Sequence, residues 1–256
     1  MINYIKTGGI AQIRLNRPDV YNSFNRDMAL AVQKALKQSA EDDEIRLILI
    51  TGEGKAFCAG QDLSEVVDPE GPALEKIVSE HFNPMIELIR AIEKPVIAGV
   101  NGVAAGAGAN IALACDIAIA KESASFIQAF SKIGLIPDSG GTFFLPRIIG
   151  MQRAAAFMMT GEKVSAKDAA EMGMIYKCVA DENYEETLAT FIDKLSKMPT
   201  RGLALTKLAL NKSFTNNLTE QLSTEHEYQN MAGNTHDYNE GVQAFLEKRK
   251  PNFKGN

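Results

Sequence analysis

The first half of the chain repeats one pattern: a short apolar run, too brief for a helix, followed by a stretch with helical spacing. Arg46 to Ile50, Val96 to Val100 and Ile117 to Ala120 are the short runs. By length and by their β-branched and leucine content they read as buried strands. Ahead of each of them helical spacing is found, from about Arg26 to Glu41, where Met28, Leu30, Ala31, Val32, Ala35 and Leu36 recur, around Pro84 to Ala91, and up to Ala114. A strand, a helix and a strand in succession imply right-handed crossovers and an α/β fold. Ahead of this series, Ile2 to Leu15 alternates apolar and polar residues on either side of Gly8-Gly9, which predicts a hairpin ended by Arg17-Pro18.

Beyond Gly150 the chain becomes rich in Ala, Met, Leu and charge, predicting a helical region from about Arg153 to Lys250 with almost no strand and a task in packing and assembly. A length of 256 residues with 45% hydrophobic content suffices for one main domain and a helical extension. We place the boundary between a core of residues 1–195 and an assembly region of residues 196–256.

With a net charge of -5 and no long Lys/Arg block, nucleic acid is disfavoured as a partner. No signal-peptide pattern opens the chain and no apolar stretch reaches membrane-helix length, so neither secretion nor a membrane is expected. Cys58, Cys115 and Cys178 lack CxxC spacing and are odd in number, which fits a reducing cytoplasm. His81, His226 and His236 stand too far apart for a zinc motif, so no metal is expected.

Two glycine-rich turns follow strand ends, where α/β folds place ligands: Lys55 to Leu63, and Gly102 to Asn110. The second leads into a helix whose free N–H groups would face a ligand, although glycines that merely permit tight turns account equally well for the spacing. Gly106-Ala107-Gly108 has Ile111 where the third glycine of a dinucleotide fingerprint belongs, and Gly54-Lys55 lacks the rest of a P-loop. Asp138, between Pro137 and Ser139-Gly140-Gly141, reads on composition alone as a turn former or helix cap.

Several segments, in order, resemble the crotonase (enoyl-CoA hydratase/isomerase) family along essentially the whole chain. They are Asn16-Arg17-Pro18 with Asn22-Ser23-Phe24-Asn25, Ala56 to Leu63, Lys94 to Ala98 with Asn101-Gly102, Ala114 to Ala120, and Gly134-Leu135-Ile136-Pro137 through Gly141-Thr142. The resemblance implies a crotonase-like ββα superhelix with two sheets and a C-terminal helical trimerisation region, assembled as trimers or dimers of trimers. It also implies an acyl-CoA substrate, with no separate cofactor, and an oxyanion hole made by the backbone N–H groups of Gln61 and Ala107, the latter usually glycine in the family.

Within that family, hydratases use two glutamates, and the matching positions here are Asn110 and Phe130, neither able to exchange a proton. What remains is Asp138, at a position where isomerases and dehalogenases of the family can carry their carboxylate. The implied activity is isomerisation of a 3-enoyl-CoA or of ring 1,2-epoxyphenylacetyl-CoA. A hydratase, or a catalytically silent CoA-binding assembly protein, is the alternative. Phe130 and Phe143 are the expected apolar walls, and Asn110 an aid to orienting Asp138 or the substrate. For coenzyme A the resemblance points to Val20, Ala59, Asp62 and Leu63, with Lys55 as a phosphate partner and a further basic residue from Lys248-Arg249-Lys250 of a neighbouring subunit.

Overall fold

The computed structural model describes residues 1–256. β1 (Ile2–Thr7) and β2 (Ile10–Leu15) form the expected antiparallel hairpin, and both Gly8 and Gly9 take the positive φ that a tight two-residue turn demands. α1 (Arg26–Glu41) starts at Asn25, whose side chain accepts the Met28 N–H, and buries Met28, Ala29, Val32 and Leu36. β3 (Leu47–Gly52) then lies parallel to β2 and is buried along its whole length.

The side chains of β3 divide between two cores. Ile48 and Ile50 enter the larger one, while Leu47 and Leu49 enter a smaller cluster on the opposite face of the sheet. The same division holds for β5 (Val96–Val100) and β7 (Ile117–Lys121), with Ile97 and Ile119 in the smaller cluster. Apolar cover on both faces is why these strands read as unbroken runs and not as alternation.

Each of the three is followed at once by a three-residue strand: β4 (Ala56–Cys58), β6 (Val103–Ala105) and β8 (Ser125–Ile127). α2 (Leu63–Val67) and α3 (Leu74–Lys76) follow β4, and the chain winds through a π-helical turn, Ile77–Phe82, into α4 (Asn83–Ala91). α5 (Ala107–Ala114) joins β6 to β7. After β8 come α6 (Gly141–Ile149), α7 (Met151–Thr160), β9 (Lys163–Ser165), α8 (Ala166–Glu171) and β10 (Lys177–Val179). Helices α9 (Tyr184–Ser196), α10 (Thr200–Ser213), α11 (Leu218–Gly233) and α12 (His236–Leu246) complete the chain.

The strands form two sheets, ordered β1-β2-β3-β5-β7-β10 and β4-β6-β8-β9. All pairings are parallel except β1 with β2 and β8 with β9. The expectation of an almost strand-free region beyond Gly150 is therefore corrected, since β9 and β10 lie inside it and close one edge of each sheet. Three residues carry too little alternation to register as a strand.

The boundary drawn after residue 195 falls in the last turn of α9. That helix lays Tyr184, Leu188 and Ile192 on the outer face of the large sheet. α10 is fastened beside it by Lys207, whose buried ammonium donates to the carbonyls of Ile89 (2.6 Å) and Lys94 (3.2 Å) and pairs with Asp116 (2.9 Å). No helix is long and apolar enough to cross a membrane.

Candidate active site

Two buried or half-buried amides shape the turn between β3 and β4. Asn22 donates to the carbonyls of Glu53 (2.9 Å) and Ala56 (2.8 Å) and accepts the Arg17 N–H (2.8 Å). Asn101, just past β5, accepts the Gly52 N–H (3.0 Å) and donates to the Gly54 carbonyl (3.1 Å). Held from both sides, the chain leaves β4 along a fixed path, and Phe24 meets Gln61 in an isolated parallel bridge. The Phe24 N–H donates to the Gly60 carbonyl (2.7 Å) and the Phe24 carbonyl accepts the Asp62 N–H (2.8 Å). The Gln61 N–H takes part in neither bond and is left for another acceptor.

Gly60 explains how the two glycine-rich turns meet. It sits at φ +92°, and a Cβ there would lie 3.0 Å from the Ala105 carbonyl oxygen and 3.4 Å from the Ala107 nitrogen. The peptide entering Gln61 therefore passes directly beside the start of α5. Ala107 is the first residue of that helix, so its N–H has no acceptor inside the helix and stands at the positive end of the helix dipole. The alanine is buried and forms an ordinary first helical residue.

One turn further along α5, the buried Asn110 donates from Nδ2 to the backbone carbonyl of Asp138 (2.9 Å) and accepts from Gln128 Nε2 (2.8 Å). The same Asp138 carbonyl accepts the Gly141 N–H (2.9 Å). Asn110 thus holds the backbone of the Asp138 loop, and a Cβ on Gly141 would sit 2.4 Å from its Nδ2. The loop is tight, with Gly134, Ser139 and Gly140 all at positive φ. The half-buried Asp138 carboxyl accepts from Ser139 Oγ (2.8 Å); burial pushes its pKa above the ordinary value and the Ser139 bond only partly offsets this.

Phe130 is buried, and its ring tip lies just across from Gly106, where a Cβ would be 3.8 Å away. It stands beside the residue that precedes α5. Phe143 is placed differently from its expected role as a second wall. It packs edge-on against Phe144 and Phe214, with the Arg147 guanidinium 3.9 Å over its ring, so it joins α6 to α10.

Among the residues expected to meet coenzyme A, Val20, Lys55 and Leu63 are exposed and Ala59 is half-buried, its N–H bonded to the Tyr21 carbonyl (2.9 Å). Asp62 is buried and already engaged. Its carboxylate pairs with Arg17 (2.8 Å) and caps α2 by accepting from the Ser64 N–H (3.0 Å) and Oγ (2.6 Å). Burial alone would raise the Asp62 carboxyl, but Ser64 and Arg17 outweigh it and hold it below the usual range. Arg249, in the C-terminal basic segment, is committed within its own chain to Glu240 and Glu247. Sequence reasoning gave no role to the side chains of Gln128, Arg17 or Glu65, whose hydrogen bonds to Asn110, to Asp62 and to the Arg26 N–H cross to other segments and leave no local pattern.

Residues 6–256 match the family model described as Enoyl-CoA hydratase/isomerase. The chain is 49% identical over 250 residues, covering 96% of it and 95% of the relative, to the 1,2-epoxyphenylacetyl-CoA isomerase of Escherichia coli (strain K12). It is 44% identical to a probable enoyl-CoA hydratase of Rhodobacter capsulatus, covering 99% of this chain and 98% of the relative. Among solved structures, a putative enoyl-CoA hydratase/isomerase from Mycobacterium abscessus superposes with a TM-score of 0.93 at 33% identity over the full length of both chains.

Proposed function

This chain belongs to the enoyl-CoA hydratase/isomerase family, the crotonases, and on that premise we propose that it is an isomerase moving a proton along an acyl-CoA. Its enzymatic class, acting on acyl-CoA, follows from the family. The observation that carries the finer reading is a single half-buried carboxylate, Asp138, tied through Asn110 to the same helix that begins at Ala107.

In the proposed reaction the thioester carbonyl oxygen accepts the N–H groups of Gln61 and Ala107. Asp138 removes a proton from the carbon next to the carbonyl, and negative charge collects on that oxygen. The two bonds strengthen as the charge develops, so they lower the barrier and not merely the dissociation constant, by roughly 3 to 4 kcal/mol per donor in comparable sites. Asp138 then returns the proton to a different carbon, and the double bond has moved with no net change in atoms. Burial favours this use, because a carboxylate of raised pKa is a stronger base.

Hydration requires a group to activate water. At the two positions where the family's hydratases carry glutamates, Asn110 is occupied with Asp138 and Gln128, and Phe130 is apolar. The substrates we propose are a 3-enoyl-CoA, converted to the conjugated 2-enoyl isomer, and ring 1,2-epoxyphenylacetyl-CoA, converted to the oxepin form. The second rests on the identity to the Escherichia coli relative. Val20, Lys55, Ala59, Asp62 and Leu63 are proposed to border coenzyme A, with Asp62 shaping the loop and Lys55 free to meet phosphate.

The test is turnover of a 3-enoyl-CoA and of crotonyl-CoA by the wild type and Asp138→Asn, read by the ultraviolet absorbance of the conjugated thioester. Isomerisation is expected to fall about 10²- to 10⁴-fold in the variant, the usual worth of a general base. Hydration should be slight in both. Rapid hydration that survives the substitution would overturn the reading.

A further inference from the structure

The Gln61 N–H has the right partner only if its peptide plane is held, and that plane is entered from a glycine at φ +92°, a residue with little intrinsic resistance to rotation. One restraint is the Gly60 carbonyl, at the far end of the plane, which accepts the Phe24 N–H. A second comes from Glu65. Its Oε2 accepts from Gln61 Nε2 (2.7 Å) while its Oε1 accepts the backbone N–H of Arg26 (2.8 Å), the first residue of α1. One carboxylate therefore staples both sides of the Phe24–Gln61 bridge, and two residues after each member of that bridge the chain enters a helix, α1 after Phe24 and α2 after Gln61.

The staple is itself braced. The Arg26 guanidinium pairs with Glu80 (2.6 Å) and lies 3.1 Å from Nε2 of the fully buried His81. Both residues belong to the π-helical turn, a local irregularity of the kind found at functional sites. Gln33 of α1 closes the same junction by donating to the carbonyls of Glu80 and His81 (2.7 and 2.9 Å). Two buried atoms in this network, Gln61 Oε1 and His81 Nδ1, have no partner.

We propose that Glu65 is a positioning residue for the oxyanion donor Gln61, acting through the Gln61 side-chain amide and the start of α1. This rests on the oxyanion role proposed above. Because a donor bond is worth most in the transition state, loosening its plane lowers kcat and leaves KM nearly unchanged. The chemistry also predicts a rescue. In Glu65→Gln, the Gln61 amide can turn so that its now unpartnered Oε1 accepts from the new side-chain NH₂, and the Arg26 N–H keeps its acceptor.

Two measurements test this on the whole enzyme. The first is steady-state isomerisation of a 3-enoyl-CoA by wild type, Glu65→Ala and Glu65→Gln, with thermal melts to correct for the folded fraction. Glu65→Ala is expected to lose about tenfold or more in kcat with KM changed by less than about threefold, and Glu65→Gln to recover most of the loss. The second is the absorbance band of trans-3-phenylpropenoyl-CoA bound to Asp138→Asn with and without Glu65→Ala. Polarisation of its carbonyl by the two donors shifts the band to longer wavelength, and the shift should shrink in the double variant.

An unchanged kcat per folded molecule, or a band shift identical with and without Glu65, overturns the proposal. A loss that Glu65→Gln fails to recover at all also overturns it, since the bridging geometry would then not be the cause. Full activity in Asp138→Asn would instead sink the proposed reaction, leaving the band shift to judge Glu65 independently.

Discussion

A carboxylate that must lift a proton from carbon gains from being uncomfortable as an anion, and Asp138 is placed in that condition by burial. The sign of the consequence can be worked out. Its folded pKa lies above the unfolded value of 3.8, so whatever stability the group contributes is present below that value and lost as pH rises through the folded pKa. At neutral pH the charged side chain is a net burden. Asp138→Asn should therefore melt at a higher temperature than the wild type near pH 7, with the difference vanishing toward pH 3, as a calorimetric series would show. Activity should run the other way, with kcat/KM falling as acid protonates the base. The proposed site residues were legible only where a turn composition or the family resemblance marked them. Gln61, Ala107 and Asp138 stood in such places, whereas the work done by Asn110 and Asp62 depends on where an amide or carboxylate points, which no local pattern records.

Among the elements, legibility tracked length. α1, β5 and the opening hairpin emerged nearly at their observed limits because a helical period, an unbroken apolar run and an alternation each had at least five residues in which to declare itself. The second sheet did not, since β4, β6, β8 and β9 have three residues each and run straight on from tight turns or lead straight into a helix. What looked like glycine-rich loops thus contain strands, and it is their pairing, β4 to β6 to β8, that brings the Gln61 and Ala107 segments together. α10 owes its seat to a different device. Asp116 receives Lys207 on one oxygen and Arg90 on the other (3.0 Å), and Lys207 is almost wholly buried. Lys207→Ala would leave that carboxylate with Arg90 and the Val96 N–H and take the ammonium away from the carbonyls of Ile89 and Lys94. It should destabilise the fold by about 3 kcal/mol, the lower end of what breaking a buried pair costs, as measured by the shift of a urea midpoint. Activity per folded molecule should be retained.

For the whole molecule, the C-terminal helices present apolar side chains with nothing of their own chain to cover them. Phe245 is 82% exposed and Leu246 68% at the end of α12, and Leu218 is 74% exposed at the start of α11. This supports the proposed trimer or dimer of trimers, and light scattering after gel filtration should give three or six times the chain mass of 27.8 kDa. Phe245→Asp with Leu246→Asp should shift that mass toward one chain without altering the far-ultraviolet circular dichroism. Inward of those helices, the small cluster under α9 has a further consequence. It shares the strands of the large sheet with the main core yet contributes its own side chains, Leu49, Ile97, Ile119, Tyr184, Leu188 and Ile192, from the face opposite the candidate site. An engineer seeking a more heat-resistant enzyme could repack that outer layer as a separate module, because a change of shape there must cross a whole sheet before it reaches the candidate site.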